Sequence, residues 1–375
     1  MRKRAFFITL QNLEDEPYGD LLVPYLVRSG WRVTVAAPGV SKSVLRTVMS
    51  YECEAVEIPR PGGVPAHQRE MQLAKLLAMG RGSSFDVCYL ASQGIATRAG
   101  LWASVGIRPK RCVYQTYDFR DPRNGKLQST FERVLYRTCA VHLNGEVHRG
   151  MVYEHLYERH KPAVIVPPAL PRDWPVFPKS EERRRRMDLG RPDQFVLLSH
   201  GGYHPLRNSA QLLKAVAMLP KNVTVAFTGA DRPHREFDSL ISELGIADRV
   251  VRLPRLPFQE MLTYTCNADL GILLYVDNDL GNYFQIPGRL SEYTSQGLPI
   301  LTSNFVGLEN LVLKHGIGVA VEQNAAAIAA GILDFMQRRA DPGHVRQIFR
   351  NKLAFDHFAG AAIDSFNGLV SEGQA

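Results

Sequence analysis

Short apolar runs alternate with longer stretches in which apolar residues recur every three or four positions. Ala5–Leu10 is apolar and reads as a strand. Asp20–Ser29 follows, with Leu21, Leu22, Tyr25 and Leu26 on one helical face, and Gly30 stops it. Trp31–Ala37 is the next apolar run, ended by the turn residues Pro38 and Gly39. Strand, helix and strand within about forty residues make one βαβ unit of a parallel sheet. The alternation predicts further strands at 56–58, 87–91, 111–116, 140–144 and 163–166, with helices at 68–79, 95–105, 127–137 and 147–157.

Residues 167–178 hold five prolines in twelve positions, which excludes helix and central strand and predicts an interdomain connection. The alternation then restarts. Strands are expected at 195–199, 223–228, 250–253, 270–275, 299–302 and 318–321. Helices are expected at 209–219, 237–244, 258–266, 288–295, 308–313, 325–338 and 345–366. Two runs of βα units imply an α/β protein with two Rossmann-like, doubly wound parallel-sheet domains. The expected division is 1–170, 171–350 and a terminal helical segment 351–375 packing back towards the N-terminal domain. Ligands of such sheets bind at the carboxyl ends of the strands, so a central cleft between the domains is the expected site.

Composition narrows the partners. The chain has 375 residues and a formal net charge of +8, which favours acidic ligands: nucleotide phosphates, nucleic acid or an anionic membrane surface. Part of the surplus is local, in Glu181-Glu182-Arg183-Arg184-Arg185-Arg186, a run that reads as a solvated helix start or linker. The five cysteines are odd in number and lack metal-ligand spacing, so buried thiols in a reducing cytoplasm are expected. The basic start, Arg2 to Arg4, precedes an apolar run too short for a signal peptide, and no stretch approaches the ~18–20 apolar residues of a membrane span. The histidines form no metal motif, and neither a nucleophile elbow nor a phosphate-binding P-loop occurs. No Gly-x-Gly-x-x-Gly follows the first strand, which argues against a nicotinamide-dependent oxidoreductase.

The most informative segment is Asn282-Tyr283-Phe284-Gln285-Ile286-Pro287-Gly288-Arg289-Leu290-Ser291-Glu292-Tyr293-Thr294-Ser295-Gln296-Gly297-Leu298-Pro299. Pro287 suits a helix start and Gly297 a helix end. The helix presents its first amides at a strand end, where anions bind. Arg289 and Glu292 share a face, a cation for phosphate beside a carboxylate for ribose hydroxyls. A surface Arg–Glu pair would have the same spacing.

Pro287-Gly288-Arg289-Leu290-Ser291-Glu292-Tyr293, with Gly297 and Pro299, resembles the Pro-x-Lys-Leu-x-Glu-Tyr-x-x-x-Gly-x-Pro signature of retaining glycosyltransferases of the GT-B fold. The resemblance implies that Glu292 grips the ribose of a nucleoside-diphosphate sugar and that Arg289 replaces the family's lysine. The family often has an earlier glutamate where this chain has Phe284. Ser199-His200-Gly201-Gly202, then Arg207, Asn208 and Leu212-Leu213-Lys214-Ala215, resembles the family's glycine-rich turn, basic residue and helix. It implies diphosphate contacts from Gly201, Gly202 and Arg207. By the same resemblance the loops holding Gly229 and Leu256 line the base pocket, and Asn282, Gln285, Pro287 and Gly288 adjoin the donor. In the first half, Val113 to Asp118 resembles a family strand ending in His or Asp, and Glu132-Arg133-Val134-Leu135-Tyr136 a following helix. Asp118 is then the candidate catalytic carboxylate, joined by Arg207 and Arg289. Gln11, Asn12, Asp15, Tyr117 and Asp118 form the expected acceptor set.

The implied activity is transfer of a sugar, with retention, from a UDP- or GDP-sugar to an acceptor hydroxyl in glycan, polysaccharide or glycolipid biosynthesis. No permanent cofactor, metal or nucleic-acid partner is expected. The acceptor is carbohydrate or lipid-linked, and the protein is expected in the cytoplasm with peripheral contact to the inner membrane surface. The other reading is a non-catalytic, nucleotide-sugar-binding regulatory protein.

Overall fold

The computed structural model describes residues 3–11, 13, 21–40, 53–60, 63–82, 84–117, 126–158, 163–191, 193–230, 234–278 and 280–371. The chain divides into two compact units, Met1–Pro168 with Phe355–Ala375, and Ala169–Ala354.

The first unit holds β1 (Arg4–Thr9), α1 (Leu22–Arg28), β2 (Arg32–Pro38), β3 (Glu54–Ile58), α2 (Ala66–Met79), β4 (Val87–Ala91), α3 (Gln93–Ser104), β5 (Cys112–Thr116), α4 (Lys126–Thr138), β6 (Val141–Asn144), α5 (Val147–Tyr157) and β7 (Ala163–Ile165). Its sheet order is β3-β2-β1-β4-β5-β6-β7, every pair parallel. Alternate residues of β1 feed two layers. Phe6 and Ile8 pack with Leu73, Leu77 and Ile95, while Phe7 stacks on Tyr89 at 4.8 Å. That second layer is closed by the chain's last helix, whose Phe366 meets Tyr89 at 5.6 Å and Trp31 at 5.8 Å. Burying such a ring contributes about 1.5–3 kcal/mol.

The second unit continues with α6 (Glu181–Asp188), β8 (Phe195–Ser199), α7 (Ser209–Met218), β9 (Val223–Thr228), α8 (Arg235–Leu244), β10 (Val250–Leu253), α9 (Phe258–Thr265), β11 (Leu270–Leu273), α10 (Leu280–Tyr283), α11 (Gly288–Ser295), β12 (Ile300–Ser303), α12 (Val306–Lys314), β13 (Gly318–Val321), α13 (Ala325–Arg338) and α14 (Pro342–Ile348). Its six strands run β10-β9-β8-β11-β12-β13, again all parallel. The order reverses between β8 and β11, the switch point where open sheets bind ligands. All five residues of β8 are buried, as helices covering both faces require.

One expected element differs. The helix anticipated over 345–366 is broken into α14, a π-helical turn over Phe349–Leu353, and α15 (Asp356–Ser371). Leu353, Ala354 and Phe355 are consecutive and all buried, which no single helical stripe accommodates. The arginine run is a largely exposed helix, α6, capped by Ser180, as the reading of a solvated helix start expects, and its charges are largely matched. Arg184 pairs with Asp188 and Asp269, Arg185 with Glu181, and Arg186 with Glu182. All five cysteines are buried.

Glu132 of α4 is buried and accepts the hydroxyls of Tyr114 at 2.5 Å, Tyr153 at 2.6 Å and Tyr157 at 3.3 Å. Burial, then this carboxylate, holds Tyr114 and Tyr153 well above the ordinary phenol range, so both stay donors. Glu132→Ala strands those buried donors and should destabilise the first unit by ~3 kcal/mol or more. Tyr157→Phe should cost only ~1 kcal/mol, because its bond is the longest. Urea unfolding read by tyrosine fluorescence compares the two; equal small losses would contradict the assignment.

Candidate functional site

The second sheet ends in a turn that only glycine permits. After β8 comes His200, then Gly201 at φ +82°. A Cβ on Gly201 would sit 1.7 Å from Arg207 Nη1, and one on Gly202 would sit 2.9 Å from the Gly229 carbonyl oxygen. The turn is thus pressed between an arginine and the β9 loop. The Gly201 N–H donates to Thr228 Oγ1 at 3.0 Å, and the Gly229 N–H to the Pro254 carbonyl at 3.0 Å.

Two cations converge on this turn. Arg207, from the short 3₁₀ turn Pro205–Arg207, donates through Nη1 to the His200 carbonyl at 3.2 Å. Arg289, the second residue of α11, donates to the same oxygen at 3.1 Å. Arg289 also donates to the Tyr275 hydroxyl and lies over the Tyr275 ring, 5.2 Å from its centre. The Arg289 charge, then burial, pulls the Arg207 guanidinium below its ordinary pKa. Burial opposes the Arg289 charge too, but Tyr275, Tyr293 and Glu292 together carry it above its ordinary value. Arginine stays protonated across the physiological range, so the result is a fixed double positive charge at a helix start.

Glu292 lies one turn along α11 and is buried. Its Oε2 is 2.8 Å from His200 Nδ1, and His200 Nε2 is 3.0 Å from Thr265 Oγ1. Burial lowers the His200 pKa, against the opposing pull of Glu292. A neutral ring satisfies both contacts: Nδ1–H donates to the carboxylate, and Nε2 accepts the Thr265 hydroxyl. Tyr293 anchors the assembly. Its hydroxyl accepts the His200 N–H at 2.9 Å and reaches the carbonyls of Leu198 and Ile272, tying β8 to β11.

The site therefore gathers Gly201, Gly202, Arg207, Gly229, Arg289 and Glu292. Pro287 is the N-cap of α11 and Gly288 its first residue. Asn282 of α10 donates to Asn278 Oδ1 at 2.7 Å and receives Gln285, in the segment between α10 and α11, at 3.3 Å. Leu256 is half-buried in the loop after β10. Gln11 and Tyr117 follow β1 and β5 of the first sheet, and the Tyr117 carbonyl accepts Arg149. Asn12, Asp15 and Asp118 lie outside the described residues. Phe284 packs edge-on against Tyr283 at 4.9 Å. Sequence reasoning missed His200, Thr265 and Tyr275. Only the position of His200, polar at a strand's end before two glycines, signalled any of them. Among the described residues, no group of three or more His, Cys, Asp or Glu could hold a metal ion.

Residues 194–338, nearly all of the second sheet and its helices, match the family model described as Glycosyl transferases group 1. A comparison with curated proteins gives no match. Among solved structures, sucrose-phosphate synthase from Thermosynechococcus elongatus covers 99% of this chain and 100% of its own, at 14% identity and TM-score 0.72. Anabaena Alr3699/HepE, solved with UDP and glucose, covers 98% and 100% at 16% identity and TM-score 0.72. A putative UDP-N-acetylglucosamine 2-epimerase from Listeria monocytogenes covers 98% of each chain at 12% identity and TM-score 0.64. Identities this low speak to the fold alone, which is GT-B. The fold is that of GT-B glycosyltransferases. The residues that match the group 1 model lie within the second unit.

His200 gives a pH signature. Its pKa is lowered by folding, so the unfolded chain binds the proton more tightly. The stabilisation is full above the unfolded value of 6.5 and is lost as pH falls towards the folded value. His204 and His315 are lowered as well and share the effect. Thermal denaturation from pH 7.5 to 5 should therefore show falling stability, with a shallower fall in His200→Gln. An identical slope in that variant would show that His200 is not buried neutral.

Proposed function

We propose that the protein transfers a sugar, with retention, from a UDP-sugar to an acceptor hydroxyl in glycan or glycolipid biosynthesis. The observation that carries this reading is the convergence of Arg207 and Arg289 on one carbonyl oxygen at the start of α11, beside buried Glu292. Two fixed cations at a helix start suit a diphosphate, and a carboxylate one turn on suits ribose hydroxyls. The hard step is departure of the nucleoside diphosphate. Charge grows on the leaving phosphate, and the two guanidinium groups are already in place to stabilise it. Uridine as the base is supported by the UDP and UDP-glucose complexes of the Anabaena neighbour. Retention follows from the motif around Glu292, with the acceptor attacking on the face the diphosphate leaves. The acceptor hydroxyl is assigned to Gln11, Asn12, Asp15, Tyr117 and Asp118 of the first unit.

Arg207 and Glu292 should separate by readout. Arg207→Ala is expected to reduce kcat by roughly 10²–10³-fold while leaving uridine affinity nearly unchanged, because it acts on the leaving phosphate. Glu292→Gln is expected to weaken uridine and UDP alike by roughly ten- to a hundredfold, the value of charge-assisted bonds worth ~1.5–3 kcal/mol. Calorimetry with uridine and UDP, and turnover of labelled UDP-sugars, measure both. Equal loss of uridine binding in the two variants would defeat the assignment. Phe284 at the position of the family's earlier glutamate favours a binding protein without turnover, and the same assay decides that point: release of UDP coupled to a glycosylated product excludes it.

We also propose peripheral contact with an anionic membrane surface on the cytoplasmic side, which a lipid-linked acceptor would require. No helix among the described residues is long and apolar enough to cross a membrane. The arginines of α6 are largely matched by acids, so the attraction must come from the remaining surplus of +8 and from exposed Met71 and Met79 of α2. Basic residues contribute about 1 kcal/mol each at such a surface, and salt screens them. Sedimentation with phosphatidylserine vesicles should be strong at low salt, weaker at high salt and reduced in Met71→Ser/Met79→Ser. Protein left in the supernatant at low salt would point to a soluble carbohydrate acceptor.

A further inference from the structure

At the amino-terminal edge of the second sheet, opposite the strand ends that carry Arg207 and Arg289, lies a cavity of about 430 Å³. Phe195, Asp269 and Pro299, at or just before the starts of β8, β11 and β12, form its roof, and the end of α13 and the start of α14 form its side. Its charges are unevenly committed. Asp269 pairs with Arg184 at 2.8 Å and accepts the Val196 N–H at 2.8 Å. Asp341 caps α14, accepting the His344 N–H at 2.9 Å. Lys179, Arg339 and Arg346 also line the cavity, and none has an ion pair among the described residues. Arg339 is held at a positive φ of +36°, with its guanidinium over the Phe195 ring at 5.6 Å. The apolar walls are Phe335, Leu298 and Pro299. A concave space with apolar walls and three cations outside any ion pair among the described residues has the chemistry of a small organic phosphate site.

The cavity also touches the donor machinery from behind. Thr265, itself fully buried, lies behind its wall and bonds His200, which bonds Glu292. Gln296 and Gly297 line it at the far end of α11, about 12 Å from Arg289 by helical rise. One eight-residue helix therefore carries donor residues at one end and cavity wall at the other. We propose that this cavity is an effector site for a small ring-bearing phosphomonoester, held by Arg339, Arg346 and Lys179. A bound phosphomonoester braces Thr265 and the end of α11, and so tightens nucleotide binding at the donor site. The site itself is independent of the proposed function; only its readout at the donor end rests on that reading.

Calorimetry and thermal denaturation of the full chain with glucose 6-phosphate test the proposal, with glucose and inorganic phosphate as controls, each without and with saturating UDP. Saturable binding of glucose 6-phosphate is expected in both conditions, with weaker binding of the controls. Arg339→Ala/Arg346→Ala should weaken it at least roughly tenfold while UDP affinity and circular dichroism stay unchanged. Bound glucose 6-phosphate should tighten UDP by roughly fivefold. Thr265→Val should keep glucose 6-phosphate binding and lose that tightening. No binding, or binding that competes with UDP and survives the double arginine substitution, overturns the site. Binding without any change in UDP affinity overturns the coupling. If UDP itself fails to bind, the donor reading and the coupling fall together, and glucose 6-phosphate binding without UDP still decides the site.

Discussion

Two guanidinium groups share one carbonyl oxygen, and much of the second unit is arranged to make that arrangement tolerable. Arg207 and Arg289 both donate to the His200 carbonyl, so their like charges are held near one another. In a protein interior that repulsion exceeds its value in water. Tyr275 opposes it by accepting from Arg289 and lying beneath it, and Glu292 supplies the nearby negative charge. Neutral His200 takes part of that carboxylate's hydrogen-bonding capacity, which leaves the site net positive. The remaining repulsion disappears when an anion enters. On the proposed reading, affinity for a diphosphate would come from a charge already assembled, with no reorganisation at the moment of binding or bond cleavage. The glycines follow from the same constraint: Arg207 can fold onto the turn only where Gly201 has no side chain.

Most of the sheet was legible in the sequence because strands covered on both faces read as unbroken apolar runs, and β8 or β9 can be little else. Strand order was legible only as a class, since pairing is decided by contacts remote in sequence. Arg289 and Glu292 stood out because they sit on one helix and form a motif with their neighbours. His200 did not, because its partners Thr265 and Glu292 are 65 and 92 residues away, and a histidine alone states nothing about its environment. The arginine run shows both cases. Its pairs with Glu181 and Glu182 are local and readable at helical spacing, whereas the Arg184 pair with Asp269 is tertiary. The break after Leu353 was hidden because each flanking stretch is a sound helix, and only the burial of three successive apolar residues forbids their union.

The two sheets share the opening order, third, second, first, fourth, yet their carboxyl ends differ in chemistry. In the first unit, β1, β5 and β6 end in Thr9, Gln115, Thr116 and Asn144, all fully buried and uncharged, with the Tyr89 hydroxyl donating to Gln115. Nearby Arg149 is turned to the Tyr117 carbonyl, and Glu146 accepts its N–H. The second sheet ends in His200 and receives Arg207, Arg289 and Glu292. Among the described residues, the same strand order therefore carries different side-chain chemistry at the two sheets' strand ends. A phosphate competes for water with every donor it meets, and only fixed cations compensate that desolvation. Neutral amides and hydroxyls suffice for a sugar hydroxyl, whose desolvation is much smaller. Among the described residues, the contrast agrees with the proposed division of labour, in which the second unit takes the nucleotide and the first unit the acceptor.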